Sequence, residues 1–192
     1  MLFRSEPRDE LALALHPRRP GVRLVAFCTS VVVPASQLGE FDGLAYNFHP
    51  GPPTHPGRHP ASFAIYEGAA RFGATAHEMR ANVDSGPIVG VEWFDMPESP
   101  RLSQLEGLTY EVSLALFGKL APALARQDGP LAHLDTSWSG RKSTQRDFEA
   151  MCLLPLDIDP AELDRRQRAF ADGLNGTLKI KVHDRIFRIE DI

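Results

Sequence analysis

Residues 22–51 read VRLVAFCTSVVVPASQLGEFDGLAYNFHPG, and the two apolar runs in this stretch decide how the rest is read. The first, VRLVAFCT (22–29), is rich in β-branched residues and bounded by Pro20-Gly21 and Pro34. That pattern predicts a strand buried on both faces, as in a parallel sheet. PASQLGEF (34–41) fits one or two helical turns. GLAYNFH (43–49) predicts a second strand, stopped at once by Pro50-Gly51. Residues two apart in a strand face the same side, so Asn47 and His49 project together from its end.

Outward from this point, GPPTHPGRHP (51–60) is too rich in Pro and Gly for anything but a constrained loop. ASFAIYEGAARFG (61–73) has helical spacing, with Gly73 as its stop. ATAHEMR (74–80) and PIVGVEWFDM (87–96) predict two more strands, joined by the turn NVDSG (82–86). SQLEGLTYEVSLALFGKLAPALAR (103–126) predicts a long helix. Ser103 and Glu106 form a capping box, Leu105, Leu108, Val112, Leu116 and Leu120 trace an apolar face, and Pro122 should kink or end it. A short helix fits residues 7–16.

Beyond Gln127 the character changes. Residues 128–150 are polar and irregular. Asp159-Pro160-Ala161-Glu162 then opens a helix with Asp as cap and Pro at its first position. TLKIKVHDRIFRIE (177–190) alternates around His183-Asp184 as a β-hairpin does. The chain divides into a core of residues 1–127 and an α+β appendage of residues 128–192, and the fold class is α/β.

The 192 residues suit one domain with such an appendage. A net charge of −4 and a pI near 6.0 argue against a nucleic-acid surface. Cys28 and Cys152 stand in no C-x-x-C spacing, and His49, His55 and His59 match no common zinc pattern. No metal is expected. No apolar run reaches the length of a membrane span, and the N-terminus lacks the basic-then-apolar form of a signal peptide. The expected location is cytoplasmic.

An amide N–H and an imidazolium can both donate to an oxygen gaining negative charge, and donors held ready in this way often contribute most to acyl-transfer catalysis. A carboxylate would orient the imidazole and relay a proton. Asp84, in the turn VDSGP, is the candidate. The N-x-H triplet alone is a weak signal and favours an asparagine bonded within a turn and a buried histidine with its bonds satisfied.

The order of pieces adds to this. An apolar strand is followed by Asn47-Phe48-His49-Pro50, then Pro56-Gly57, a helix, a strand with His77, and Val83-Asp84-Ser85-Gly86-Pro87-Ile88. His49 and Asp84 stand 35 residues apart. This resembles the 10-formyltetrahydrofolate-dependent formyltransferases, whose pattern is N-x-H-P-x-L-L-P, a P/R-G loop, and x-D-x-G-x-I. The resemblance covers residues 22–125 and continues more weakly through 159–192. It implies a Rossmann-like sheet with flanking helices. It also implies transfer of a formyl group from 10-formyltetrahydrofolate to a primary amine. Asn47 and His49 would stabilise the tetrahedral intermediate, with Asp84 assisting proton removal. The pterin would lie against main chain of Thr29, Ser30, Val31, Val32 and Val33, and of Arg80, Ala81, Val83 and Asp84.

Two departures shape the expectations. Gly51-Pro52-Pro53 replaces the usual x-L-L and stiffens the pocket mouth. The strand at 22–29 is matched in the family by one preceded by several further βα units, so a partial sheet is expected, with its open edge covered by a homodimer or by the N-terminal segment. The acceptor would then be a small amine, with nucleic acid not expected. Two other readings stay open: hydrolysis of the same donor, and folate binding without turnover.

Overall fold

The computed structural model describes residues 22–29, 31–41, 44–139, 141–172 and 178–189. The expected helix at 7–16 and Ser30 lie outside them. The four predicted strands form one mixed sheet in the order β1 (Leu24–Phe27), β2 (Ala45–His49), β3 (Arg71–Glu78) and β4 (Ile88–Asp95). β1 and β2 run parallel, joined through α1 (Ala35–Leu38) and a 3-10 turn. β2, β3 and β4 pair antiparallel.

β1 departs from its expectation. It is an edge strand among the described residues, and Val25 is exposed, so it is not buried on both faces. Its continuous apolar run serves different neighbours: Phe27 packs on Phe48 and meets the edges of Tyr110 and Phe117.

The helix expected over 61–73 is α2 (Pro60–Glu67), and β3 begins at Arg71 rather than residue 74. The stop is Gly68, whose φ of 69° closes the helix in the left-handed region that side chains avoid. Gly73 lies inside β3 instead. Residues 69–73, AARFG, fit both periodicities, and the glycine nearer the helix decides.

The long helix, α3, spans Leu102–Arg126. The Ser103 capping box does not form. The cap position is Arg101, without a side-chain cap bond, and Ser103 Oγ donates to Asp172 Oδ2 at 2.9 Å. Pro122 does not end the helix, although its ring forfeits one backbone bond. Arg23 from the start of β1 clamps the end beyond it, donating to the carbonyls of Leu124, Gln127 and Gly129. The buried face of α3 is Leu102, Leu105, Thr109, Ser113 and Leu116. Thr109 and Ser113 can be buried because their hydroxyls donate to the carbonyls one turn back, at 2.6 and 2.7 Å.

The pleat separates two faces of β2 and β3. Tyr46, Phe48, Ala74 and Ala76 pack with Val89, Leu116 and Leu131 into an apolar core beside α3. Asn47, His49, Thr75 and His77 alternate with them, cross-strand pairs Asn47–His77 and His49–Thr75 lying opposite each other.

Residues 128–139 and 141–143, read as irregular, cross the end of this sheet as a strap. Leu131 N–H donates to the Tyr46 hydroxyl at 2.8 Å, Leu134 N–H to Ile88 O at 2.8 Å, and Ser139 N–H to Pro53 O at 2.9 Å. The sequence reading missed α4 (Gln145–Cys152), although Thr144 and Asp147 form a complete capping box at its start. α5 (Pro160–Phe170) begins as expected, with Asp159 accepting from Ala161 and Glu162 N–H groups. The terminal hairpin, β6 (Lys179–Val182) and β7 (Arg185–Arg188), is present, and β5 (Leu153–Leu154) adds to it in parallel. Phe148, Cys152, Leu154, Ala169, Phe170 and Leu178 form the core of this C-terminal unit, against Phe63, Ile65 and Tyr66 of α2.

Candidate active site

Asn47 and His49 reach the site because β2 stops at His49, where Pro50 follows, leaving both at the sheet end. Asp84 reaches it from the β3–β4 turn, where its φ of 46° is strained. Asp84 Oδ2 lies 3.6 Å from His49 Nδ1 and accepts from Gly57 N–H at 2.7 Å. Gly57 has a φ of 99°, and a Cβ there would come within 2.1 Å of Ser143 O. The Pro-Gly loop therefore closes on the strap only with glycine, and that closure aims its N–H at Asp84.

His77 completes the cluster. Its Nε2 lies 3.2 Å from Asn47 Nδ2 and 3.4 Å from Asp84 Oδ1, and its Nδ1 lies 2.7 Å from Glu78 O. His49 Nε2 lies 3.0 Å from His55 O, which can only accept, so that nitrogen carries the hydrogen. Trp138 from the strap stands edge-on to both rings, with centroids 5.7 Å from His49 and 5.0 Å from His77, and its indole donates to Gly86 O at 2.9 Å.

His49, His77 and Asp84 are almost fully buried. Burial pushes the His49 imidazole below its ordinary value, against the raising pull of Asp84 and the His55 carbonyl. Burial alone would raise the Asp84 carboxyl. The His77 and His49 imidazoles and the Gly57 N–H outweigh it, and the carboxyl sits below its ordinary value. Asp84 Oδ1 is buried and has no well-aligned hydrogen-bond partner among the described residues.

These groups line a cleft of about 730 Å³. Of the residues that the resemblance sets against the pterin, Thr29, Val31, Val32, Val33, Arg80, Val83 and Asp84 line this cleft and Ala81 does not. One wall comes from Arg58, His59, Lys142, Ser143, Thr144 and Gln145. The sequence reading assigned no role to that wall, to Trp138 or to His77. For His77 the signal was available: it lies opposite Asn47 once the two strands pair. Trp138 and the 142–145 wall belong to a segment without periodicity, and nothing local marks them.

The three histidines of the Pro-Gly region diverge. His49 faces Asp84, His55 lies 3.3 Å from Glu67 Oε2, and His59 stacks on Phe148 at 3.7 Å. Among the described residues no group of three or more His, Cys, Asp or Glu is arranged to hold a metal ion, and no helix is long and apolar enough to cross a membrane.

Three solved structures illustrate what the fold is similar to. A 4-N formyltransferase from Francisella tularensis superposes with a TM-score of 0.75 at 19% identity, over 96% of this chain and 75% of that one. A sugar N-formyltransferase from Shewanella gives 0.71 at 19%, over 96% and 79%. A formyltransferase from Anoxybacillus kamchatkensis, solved with a UDP-linked formamido sugar and tetrahydrofolate, gives 0.64 at 16%, over 77% and 75%. No curated protein matches the sequence. The family described as Formyl transferase matches residues 3–107, more than half of the 192. That span includes Asn47, His49 and Asp84, and the chain belongs to the formyl transferase family, a transferase enzyme by that membership.

Proposed function

We propose that the chain transfers a formyl group from 10-formyltetrahydrofolate to the primary amine of a small acceptor, with Asn47, His49 and Asp84 as its catalytic residues. One observation carries this reading: a buried carboxylate with one oxygen lacking a well-aligned partner stands beside a neutral-leaning imidazole and an amide, in a cleft of about 730 Å³. The folate, when bound, supplies the formyl carbon. A flat pterin edge suits the cleft segments 31–33 and 80–84, whose main chain offers donors and acceptors between the exposed side chains of Val32 and Val83.

Asn47 donates an N–H to the formyl oxygen as the amine adds and that oxygen gains charge. The C–N bond to the acceptor forms, the amine sheds a proton towards Asp84, and the bond from carbon to the folate nitrogen breaks as that nitrogen gains a proton. With Nε2–H on the His55 carbonyl, His49 offers its Nδ1 lone pair on the Asp84 side. Receiving the amine's proton there from Asp84 makes His49 an imidazolium beside the oxyanion, with Nε2–H still on the His55 carbonyl, and the same proton then goes to the folate nitrogen. No metal takes part in this scheme.

The acceptor class follows from the similar structures, several of which act on amino sugars by their descriptions: an amino-sugar nucleotide or comparable small amine. A cytoplasmic setting, where both thiols stay reduced, belongs to the same proposal. So does the division at residue 127 into a catalytic part and a C-terminal unit. A second copy covering the β1 edge and the exposed Tyr110, Leu114 and Phe117 of α3 completes it.

The test is incubation with 10-formyltetrahydrofolate and a panel of amines, following tetrahydrofolate by absorbance and formamide by mass spectrometry. Tetrahydrofolate release matched by formamide is expected. Release matched by formate without any amine would make it a hydrolase. Saturable folate binding without release would make it a binding paralogue.

A further inference from the structure

Asn47 can serve an oxyanion only if its amide nitrogen, and not its oxygen, is held in the right place. The chain has a device for this outside the three residues assigned above. His77 is buried and its Nδ1 lies 2.7 Å from Glu78 O. A carbonyl only accepts, so Nδ1 carries the hydrogen, and in the neutral ring Nε2 is an acceptor. Asn47 is the side chain within hydrogen-bond distance of it, at 3.2 Å. Were the amide turned over, two lone pairs would face each other. The tautomer therefore fixes the amide, with one Nδ2–H on His77 and the second left to point into the cleft.

The backbone around His77 is shaped for this. β3 pairs with β4 regularly to Ala76, opposite Gly90, and then slips so that His77 lies opposite Ile88. Val89 is the extra residue of a bulge, which bends the pair and re-aims side chains at its end. Trp138 meets the edges of both imidazoles, which keeps the His77 ring from turning. Asp84 Oδ1 lies 3.4 Å from the same nitrogen and is the competing partner, which a ring protonated on both nitrogens would take instead.

We propose that His77 is a positioning residue, whose Nδ1–H tautomer holds the Asn47 amide with its nitrogen towards the cleft. Its kinetic consequence rests on the proposed formyl transfer, but the tautomer does not.

The experiment has two arms on the full chain. Long-range nitrogen–proton NMR of 15N-histidine protein, with His77 assigned by its absence from His77→Gln, reads the tautomer directly. The Nδ1–H form is expected. The Nε2–H form, or a ring protonated on both nitrogens at pH 7.5, overturns the proposal whether or not formyl transfer is ever seen.

The kinetic arm compares His77→Phe, which keeps a flat ring, with His77→Gln, which keeps an acceptor for Asn47. His77→Phe should lower kcat about 100-fold, the usual loss for a misplaced oxyanion donor, with KM for the folate within about threefold. His77→Gln should recover at least about tenfold of that loss. In an Asn47→Ala background, His77→Phe should cost less than about threefold more, since the group it positions is gone. Equal losses in the two His77 variants, or full additivity with Asn47→Ala, overturn the positioning role. If His77→Phe does not fold, His77→Gln alone and over Asn47→Ala decides by the same additivity.

Discussion

The site end of the four-stranded sheet and the C-terminal unit use polar groups in opposite ways. On β2, β3 and the turn after β3, the chain buries His49, His77 and Asp84, strains Asp84 to a φ of 46°, and leaves Asp84 Oδ1 without a well-aligned hydrogen bond. Each of these costs stability. In the C-terminal unit the core is apolar, and its charged groups, among them Glu162 and Arg165, lie at the surface. A long-range polar tie from α5 to α2 is satisfied on both sides: Glu162 Oε1 accepts from the Tyr66 hydroxyl at 2.9 Å and from Arg166 at 2.7 Å. Stability and chemistry are divided between the two regions, and substitutions should separate them.

The largest effect expected is on the stable side. Phe170→Ala removes a ring that touches Phe63, Tyr66 and Phe148, and should cost about 3–5 kcal/mol in denaturant unfolding. The kcat of the fraction that stays folded should hold. A kcat that collapses with stability would erase the division. On the site side, Asn47→Ala should lower kcat by about 100- to 1000-fold while the unfolding midpoint moves little. A melting temperature that falls as far as in Phe170→Ala would make Asn47 a structural residue.

Acid should also distinguish the regions. His49, His55 and His59 are each pushed below the ordinary 6.5, burial being the main cause in all three. The unfolded chain then binds protons that the folded chain refuses, so stability falls as pH drops below about 6.5. Asp84, held below its ordinary value, extends the loss below about pH 4. The urea midpoint should fall from pH 7 to pH 5, and His49→Gln should flatten that slope. An unchanged slope would remove His49 from the account. The smallest effects are at helix starts. Asp159→Ala should cost about 1 kcal/mol, while Ser103→Ala should stay within about 0.5 kcal/mol because its cap is not formed.

Much of this was legible in the sequence, for reasons specific to each part. The four strands, α3, the Asp159 cap and the hairpin at His183-Asp184 are written in local pattern. That Asn47, His49 and Asp84 gather at one end of the sheet follows from strand ends and tight turns, which place side chains predictably, while their reading as a site came from the order of motifs that resembles the family. The end of α2 was misread because residues 69–73 satisfy two periodicities. The Ser103 box failed because Asp172, distant in sequence, takes its hydroxyl. Pro122 was outvoted by Arg23, about a hundred residues away. The strap and its Trp138 were invisible because their order comes from carbonyls and rings of other segments and not from their own sequence.

The strap also sets a schedule. Tyr46 waits for Leu131, and Gly57, whose N–H holds Asp84, closes against Ser143. During synthesis from the N-terminus, residues 22–126 can form their strands and long helix while the ribosome is still adding the remainder. The cleft wall and the indole beside the two imidazoles arrive only once residue 145 has cleared the exit tunnel. A nascent chain halted at residue 126 would carry Asn47, His49 and Asp84 without their enclosure, so chemistry begins only after the strap has been made.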